Sequence, residues 1–260
     1  MNDMDVVLLG VLGSTAAGFM TLVGALPVLF GRAMSARQED SLLGFAAGVM
    51  LAASFFSLLL PAIESASSLF AWRFAPGSIA ALGLLMGAGA MVGANALIPH
   101  RHFVQGDQGP VSAKMDKILL FVAAITIHNF PEGLAMGVGF GSGAIDKAAA
   151  LSVGIGIQNL PEGLAVALAL RANGVSKWKA FLIASATGLL EPIGGLVGVS
   201  LVSLAEPLLP WALAFAAGTM LHIVSHEIIP ETHSRGFQRQ ATTGMAIGFV
   251  LMMFLDVSFG

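Results

Sequence analysis

The chain has 260 residues, 56% of them hydrophobic and 10% charged, with 12 basic and 15 acidic side chains and a net charge of −3. Soluble domains carry about 25% charged residues, so a soluble enzyme is disfavoured. Disorder is excluded by the hydrophobicity, and a nucleic-acid binder by the lack of a basic footprint. A mean hydropathy of +0.86 reads as an all-α polytopic membrane protein, a single transmembrane domain over residues 1–260 that has the lipid bilayer as its surroundings.

A helix needs about 20 apolar residues to cross about 30 Å of hydrocarbon. Eight runs meet that length, at about 5–30, 41–63, 76–98, 116–140, 146–170, 178–203, 209–230 and 241–259. The first follows Met1-Asn2-Asp3-Met4-Asp5, without the basic segment of a signal peptide, and is too long for one. It is therefore expected to be a span. Trp72, Trp178 and Trp211 fall at run ends, where an interfacial belt places them. Ten of the 12 Lys and Arg lie in the loops after runs 1, 3, 5 and 7; only Arg73 and Lys147 lie in the others. The positive-inside rule then puts the odd loops in the cytoplasm and both termini outside, and a plasma (inner) membrane location is expected.

Two repeats are present. Phe45-Ala46-Ala47-Gly48-Val49-Met50-Leu51 matches Phe215-Ala216-Ala217-Gly218-Thr219-Met220-Leu221 at an offset of 170, which also aligns Gly18 with Gly188 and Gly24 with Gly194. Runs 1–3 and 6–8 are thus read as an inverted repeat around runs 4 and 5, a transporter signature. A local repeat sets His128-Asn129-Phe130-Pro131-Glu132-Gly133 against Gln158-Asn159-Leu160-Pro161-Glu162-Gly163.

Ionisable groups at membrane depth are functional candidates by default. At 1.5 Å per residue, His128 lies roughly 16 Å beyond Lys117, Gln158 roughly 16 Å beyond Lys147 and Glu191 roughly 18 Å beyond Lys179. These three converge near the midplane. Glu132 and Glu162 share a helix face with His128 and Gln158 at i, i+4. Pro131 and Pro161 free the carbonyls of Ile127 and Ile157. With no cysteine in the chain, a metal must be held by His, carboxylate, amide or Met, a set that suits Zn2+ and admits Fe2+, Mn2+, Co2+ and Cd2+. A second cluster, His226, Glu227 and Glu231 with His233 beyond and His222 one turn above, reads either as a cytoplasmic release or sensing site or as solvated interfacial side chains. His100 and His102 belong to the same cytoplasmic side. Asp256 is expected to be a solvated end residue.

The paired motifs in runs 4 and 5 resemble the signature of the ZIP family of divalent metal transporters. Ser225-His226-Glu227-Ile228-Ile229-Pro230-Glu231-Thr232-His233 resembles its bacterial branch. The resemblance implies a binuclear centre. His128, Glu132, Gln158 and Glu162, with Met50, would form one site. Asn129, Glu132, Asn159, Glu162 and Glu191 would form the other, with Glu132 and Glu162 bridging. His226 and Glu227 would match a cytoplasmic exit. Gln158 and Asn159 stand where many relatives have His and some have Asp, which lowers the negative charge of the site. The function implied is uptake of a divalent metal, zinc foremost, by alternating access and without ATP, since no GxxxxGK[ST] motif is present. A homodimer is compatible with this reading. The alternatives are an intramembrane metalloprotease, for which Pro230 occupies the second His of His-Glu-x-x-His, and a metal-sensing membrane protein.

Overall fold

The computed structural model describes residues 3–31, 34–97, 100–102, 106–108, 117–172, 174–204 and 206–259, with side chains outside 3–4, 100–125, 172, 203–204 and 206. Eight helical passes follow the eight apolar runs. They are α1 (Asp3–Ala25, ending in the 3-10 turn Leu26–Phe30), α2 (Ala36–Leu69), α3 (Ala75–Leu97), α4 (Lys117–Gly141), α5 (Ile145–Ala172), α6 (Lys177–Thr187 and Leu190–Leu204), α7 (Leu209–Thr232) and α8 (Gln238–Phe259). Between α3 and α4 lies a short antiparallel hairpin, β1 (His100–His102) with β2 (Gly106–Gln108). The His100 and His102 side chains lie outside the described residues.

Helix ends follow local chemistry. Ser35 caps α2 in a capping box with Gln38, and Gly31, Gly143, Gly174 and Gly236 make turns at positive φ. Trp72 and Trp178 are exposed at helix ends, and large apolar side chains such as Phe19, Leu85, Leu182 and Phe254 line the periphery, as lipid contact requires. The buried interior is built mostly from Ala and Gly, with Val, Leu, Met and Ile set among them, the small-residue packing of membrane helices.

The helices form two groups. In one, α1, α4, α5 and α6 pack together; in the other, α2 packs along α8 and α3 along α7. The groups meet chiefly where α4 touches α7 and α5 touches α2. An apolar crevice of about 250 Å³, lined by Leu134, Val138, Met86 and Phe215 among others, also lies between them.

The inverted repeat is visible in contacts as well as in sequence. The pair α1–α5 mirrors α6–α4, and α2–α8 mirrors α7–α3. Gly24 abuts the carbonyl of Leu160, and its counterpart Gly194 abuts that of Phe130. Gly163 abuts the carbonyl of Thr21, as Gly133 abuts that of Glu191. Gly18 and Gly188 abut each other, so the pseudo-two-fold passes between them. A Cβ at any of these positions would enter a backbone oxygen, which is why the sequence repeats glycine there.

Both α2 and α7 also widen into a π-helical segment, Ala53–Leu59 and Val224–Ile228. Leu60 N–H bonds to Phe55 O, and Ile229 N–H bonds to Val224 O, five residues back instead of four. Each widened turn precedes a proline, Pro61 or Pro230, whose ring crowds the preceding turn and lacks a donor. Such bulges frequently sit at functional sites.

Candidate metal centre

The residues expected at the midplane come from three helices, two with an internal proline and one broken. Pro131 and Pro161 lie inside α4 and α5, and α6 breaks at Gly188-Leu189, so that Glu191 opens its second half. A carboxylate in a helix's first turn is favoured by the axial dipole.

His128, Asn129, Glu132, Gln158, Asn159 and Glu191 are all buried, and Glu162 is half-buried. Gln158 Nε2 donates to Glu132 Oε1 at 2.6 Å, which ties α5 to α4. Asn159 Nδ2 donates to Glu191 Oε1 at 2.9 Å and to the Ala17 carbonyl at 2.9 Å, which ties α5 to α6 and α1. The charges of Glu162 and Glu191 are felt at Glu132, and that of Glu162 at Glu191. Three carboxylates thus share one low-dielectric region.

The two amides leave a particular set of atoms over. Asn129 Oδ1, Glu132 Oε2, Gln158 Oε1, Asn159 Oδ1 and Glu191 Oε2 are buried without a hydrogen-bond donor. All five are oxygen acceptors, and a buried unsatisfied polar atom costs about 1–3 kcal/mol. Acceptors confined with no donor are a cation's ligand chemistry. Among the described residues, no three His, Asp or Glu side chains stand as a closed metal-ligating group; Glu132 and Glu191 are each held by an amide, Gln158 and Asn159 respectively.

Met50 is fully buried in α2 just before the π segment, as its repeat counterpart Met220 is in α7. Met50 belongs to the apolar core that also contains Ala17, Val49 and Ile155.

The second cluster adjoins the first. His128 Nε2 pairs with Glu227 Oε2, so α4 is joined to the π segment of α7. Glu227 also accepts from Asn95 Nδ2 of α3 at 3.4 Å, and its charge is felt at Glu162. Glu227 is buried. Reading it as solvated and interfacial is therefore wrong, because it is enclosed with Asn95 of α3 and His128 of α4 against it. His222 and His226 stack with ring centroids 5.0 Å apart. His233 instead turns back, with Nδ1 2.9 Å from the Ile229 carbonyl and Nε2 3.4 Å from Thr242 Oγ1. It fastens the end of α7 to α8.

Asp256 also differs from expectation. It is buried, and it accepts from Ser57 Oγ at 2.5 Å. Its position near a helix end concealed this, because the partner lies 199 residues away in the π segment of α2. The pair has a counterpart. The offset of 170 carries Ser57 onto Glu227, and the register that matches Gly87 with Gly248 carries Asn95 onto Asp256. Ser57–Asp256 and Glu227–Asn95 are thus one contact used twice, in opposite halves of the bundle. Asn95 and Ser57 were missed from sequence because each is a neutral residue in an apolar run; the repeat offset was the available signal.

An inverted-repeat membrane bundle with polar residues gathered between its repeats is the architecture of many membrane transporters. The family model described as "ZIP Zinc transporter" matches residues 98–256. The chain is 48% identical over 250 residues to the zinc transporter ZIPB of Bordetella bronchiseptica, covering 96% of this chain and 81% of that one. It is 45% identical to the zinc transporter GufA of Myxococcus xanthus, covering 96% and 99%. It is 36% identical to the zinc transporter ZIP11 of Homo sapiens, covering 96% of both. The chain belongs to the ZIP family. The metalloprotease alternative falls with that membership, and Pro230 still stands where the second zinc-binding histidine would be needed.

Proposed function

We propose that this chain carries a divalent transition metal, zinc first, from outside to the cytoplasm through a binuclear midplane site. The observation that carries this is the set of five donorless buried oxygens on α4, α5 and α6, in a chain whose relatives are named zinc transporters. His128, Glu132, Gln158 and Glu162, with Met50 able to add a thioether, hold one ion. Asn129, Glu132, Asn159, Glu162 and Glu191 hold the other, and Glu132 and Glu162 bridge. Loading requires the Gln158–Glu132 and Asn159–Glu191 bonds to open, with their amide oxygens turned to the ion. The neutral amides leave fewer charges than an all-carboxylate site would offer, which favours release over tight retention. Fe2+, Mn2+, Co2+ and Cd2+ are chemically admissible cargo.

The path onward runs from His128 to Glu227 and His226. His128 and Glu227 stand on opposite helix groups, so their contact is made or broken as one group moves against the other. The apolar crevice between the groups offers no polar bond to hold that movement. Alternating access by relative motion of the α1–α4–α5–α6 group is the reading that fits, with the odd loops cytoplasmic, both termini outside and a homodimer compatible. Uptake of Zn2+ by proteoliposomes without ATP, in competition with Fe2+, Mn2+, Co2+ and Cd2+, tests it. The expected order has Zn2+ and Cd2+ ahead. Absence of ATP-independent uptake of every one of the five metals would refute the proposal.

A further inference from the structure

The groove between the first turns of α2 and α8 has no part in the metal path. It is a cleft of about 540 Å³ whose lining includes Arg37, Leu42, Phe45, Arg239 and Ile247, within the roughly 300–1,000 Å³ of ligand sites. Its chemistry is layered. Arg37 and Arg239, both exposed, lie at the helix starts, and Leu42 and Ile247, also exposed, lie one to two turns deeper beside Phe45. Two cations above an exposed apolar wall match an anionic glycerophospholipid at the end of a membrane span.

The charge is available. A third arginine, Arg235, is taken by Glu39 at 2.5 Å and by Asp40 at 2.9 Å. This consumes the two acids of the same helix start, while neither Arg37 nor Arg239 has an acidic partner among the described residues. The groove can form because Gly44 and Gly248 let α2 and α8 touch through backbone: Gly44 abuts the Ala241 carbonyl and Gly248 the Phe45 carbonyl. The N-termini of α2 and α8 emerge side by side on this face, which adds partial positive charge.

We propose that this groove binds one anionic phospholipid, its phosphate between Arg37 and Arg239 and an acyl chain along Leu42, Phe45 and Ile247. The site stands apart from the proposed metal path; only its assignment to the cytoplasmic leaflet rests on the orientation given there. Native mass spectrometry of the purified chain in detergent, titrated with phosphatidylglycerol or phosphatidylcholine, tests it. Each arginine is worth about fivefold in affinity, so Arg37→Gln with Arg239→Gln should weaken phosphatidylglycerol binding about thirtyfold. Lys177→Gln with Lys179→Gln, which removes two basic charges elsewhere, should leave it intact, and phosphatidylcholine should bind no better than to the arginine variant. Equal phosphatidylglycerol binding by the arginine variant would overturn the proposal. So would displacement of the lipid by millimolar inorganic phosphate, which marks a free-anion site. Loss of a dimer in the arginine variant with lipid binding unchanged would assign the groove to a second copy of the chain and overturn it equally.

Discussion

Replacing Ser57 by alanine removes the hydroxyl that donates to Asp256 Oδ1 at 2.5 Å. Ser57 is 6% exposed and Asp256 8%, so water does not readily replace the lost donor. A hydrogen bond to a charged acceptor contributes about 1.5–3 kcal/mol, and a short hydroxyl–carboxylate bond belongs at the strong end. For a chain of this size, about 2–4 °C per kcal/mol turns that loss into a fall in melting temperature of about 3–12 °C. Thermal denaturation in detergent, with Ser57→Ala, Asp256→Asn and the double variant, measures it. Because the pair is in direct contact, the single effects should not add, and the double variant should be more stable than their sum requires by about 1 kcal/mol or more. An unchanged melting temperature for Ser57→Ala, or strictly additive effects, would refute the buried Ser57–Asp256 bond.

Two further outcomes follow from the repeat and the loops. Gly24→Val and Gly194→Val push side chains into the carbonyls of Leu160 and Phe130. Overpacking of this kind costs about 1–3 kcal/mol or more, so both should lower thermal stability to a similar degree, whereas Gly89→Val, with open space around it, should not. Arg235→Ala leaves Asp40, itself 0% exposed, without its cation. Because the Arg235 side chain is 35% exposed, solvent reduces the loss to about 1–2 kcal/mol, readable as a lower melting temperature that Arg37→Ala does not produce.

Much of the fold was legible because a bilayer permits few backbone solutions. Each apolar run had to become a helix, and the glycine register at offset 170 carried the inverted packing. The motif residues His128, Glu132, Gln158, Asn159 and Glu191 were legible as well, because charge and amide in an apolar run stand out. The linkage between elements was not. Nothing in spacing along one helix indicates that Glu227 turns to His128, that Asn95 reaches Glu227, or that Asp256 is held by Ser57. Ser57 and Glu227 lie within the π segments, and their partners depend on which helices lie side by side. His233, which looked like a cluster member in sequence, is drawn away because the nearest acceptor is the carbonyl of Ile229 in its own last turn.

The most direct measurement is initial Zn2+ influx into proteoliposomes for wild type, Glu132→Ala, Glu162→Ala, the double glutamate variant and His233→Ala, each normalised to folded protein. Influx should fall to background in all three glutamate variants and stay near wild type in His233→Ala. Zn2+ influx by the double glutamate variant at the wild-type rate would contradict a midplane site bridged by Glu132 and Glu162.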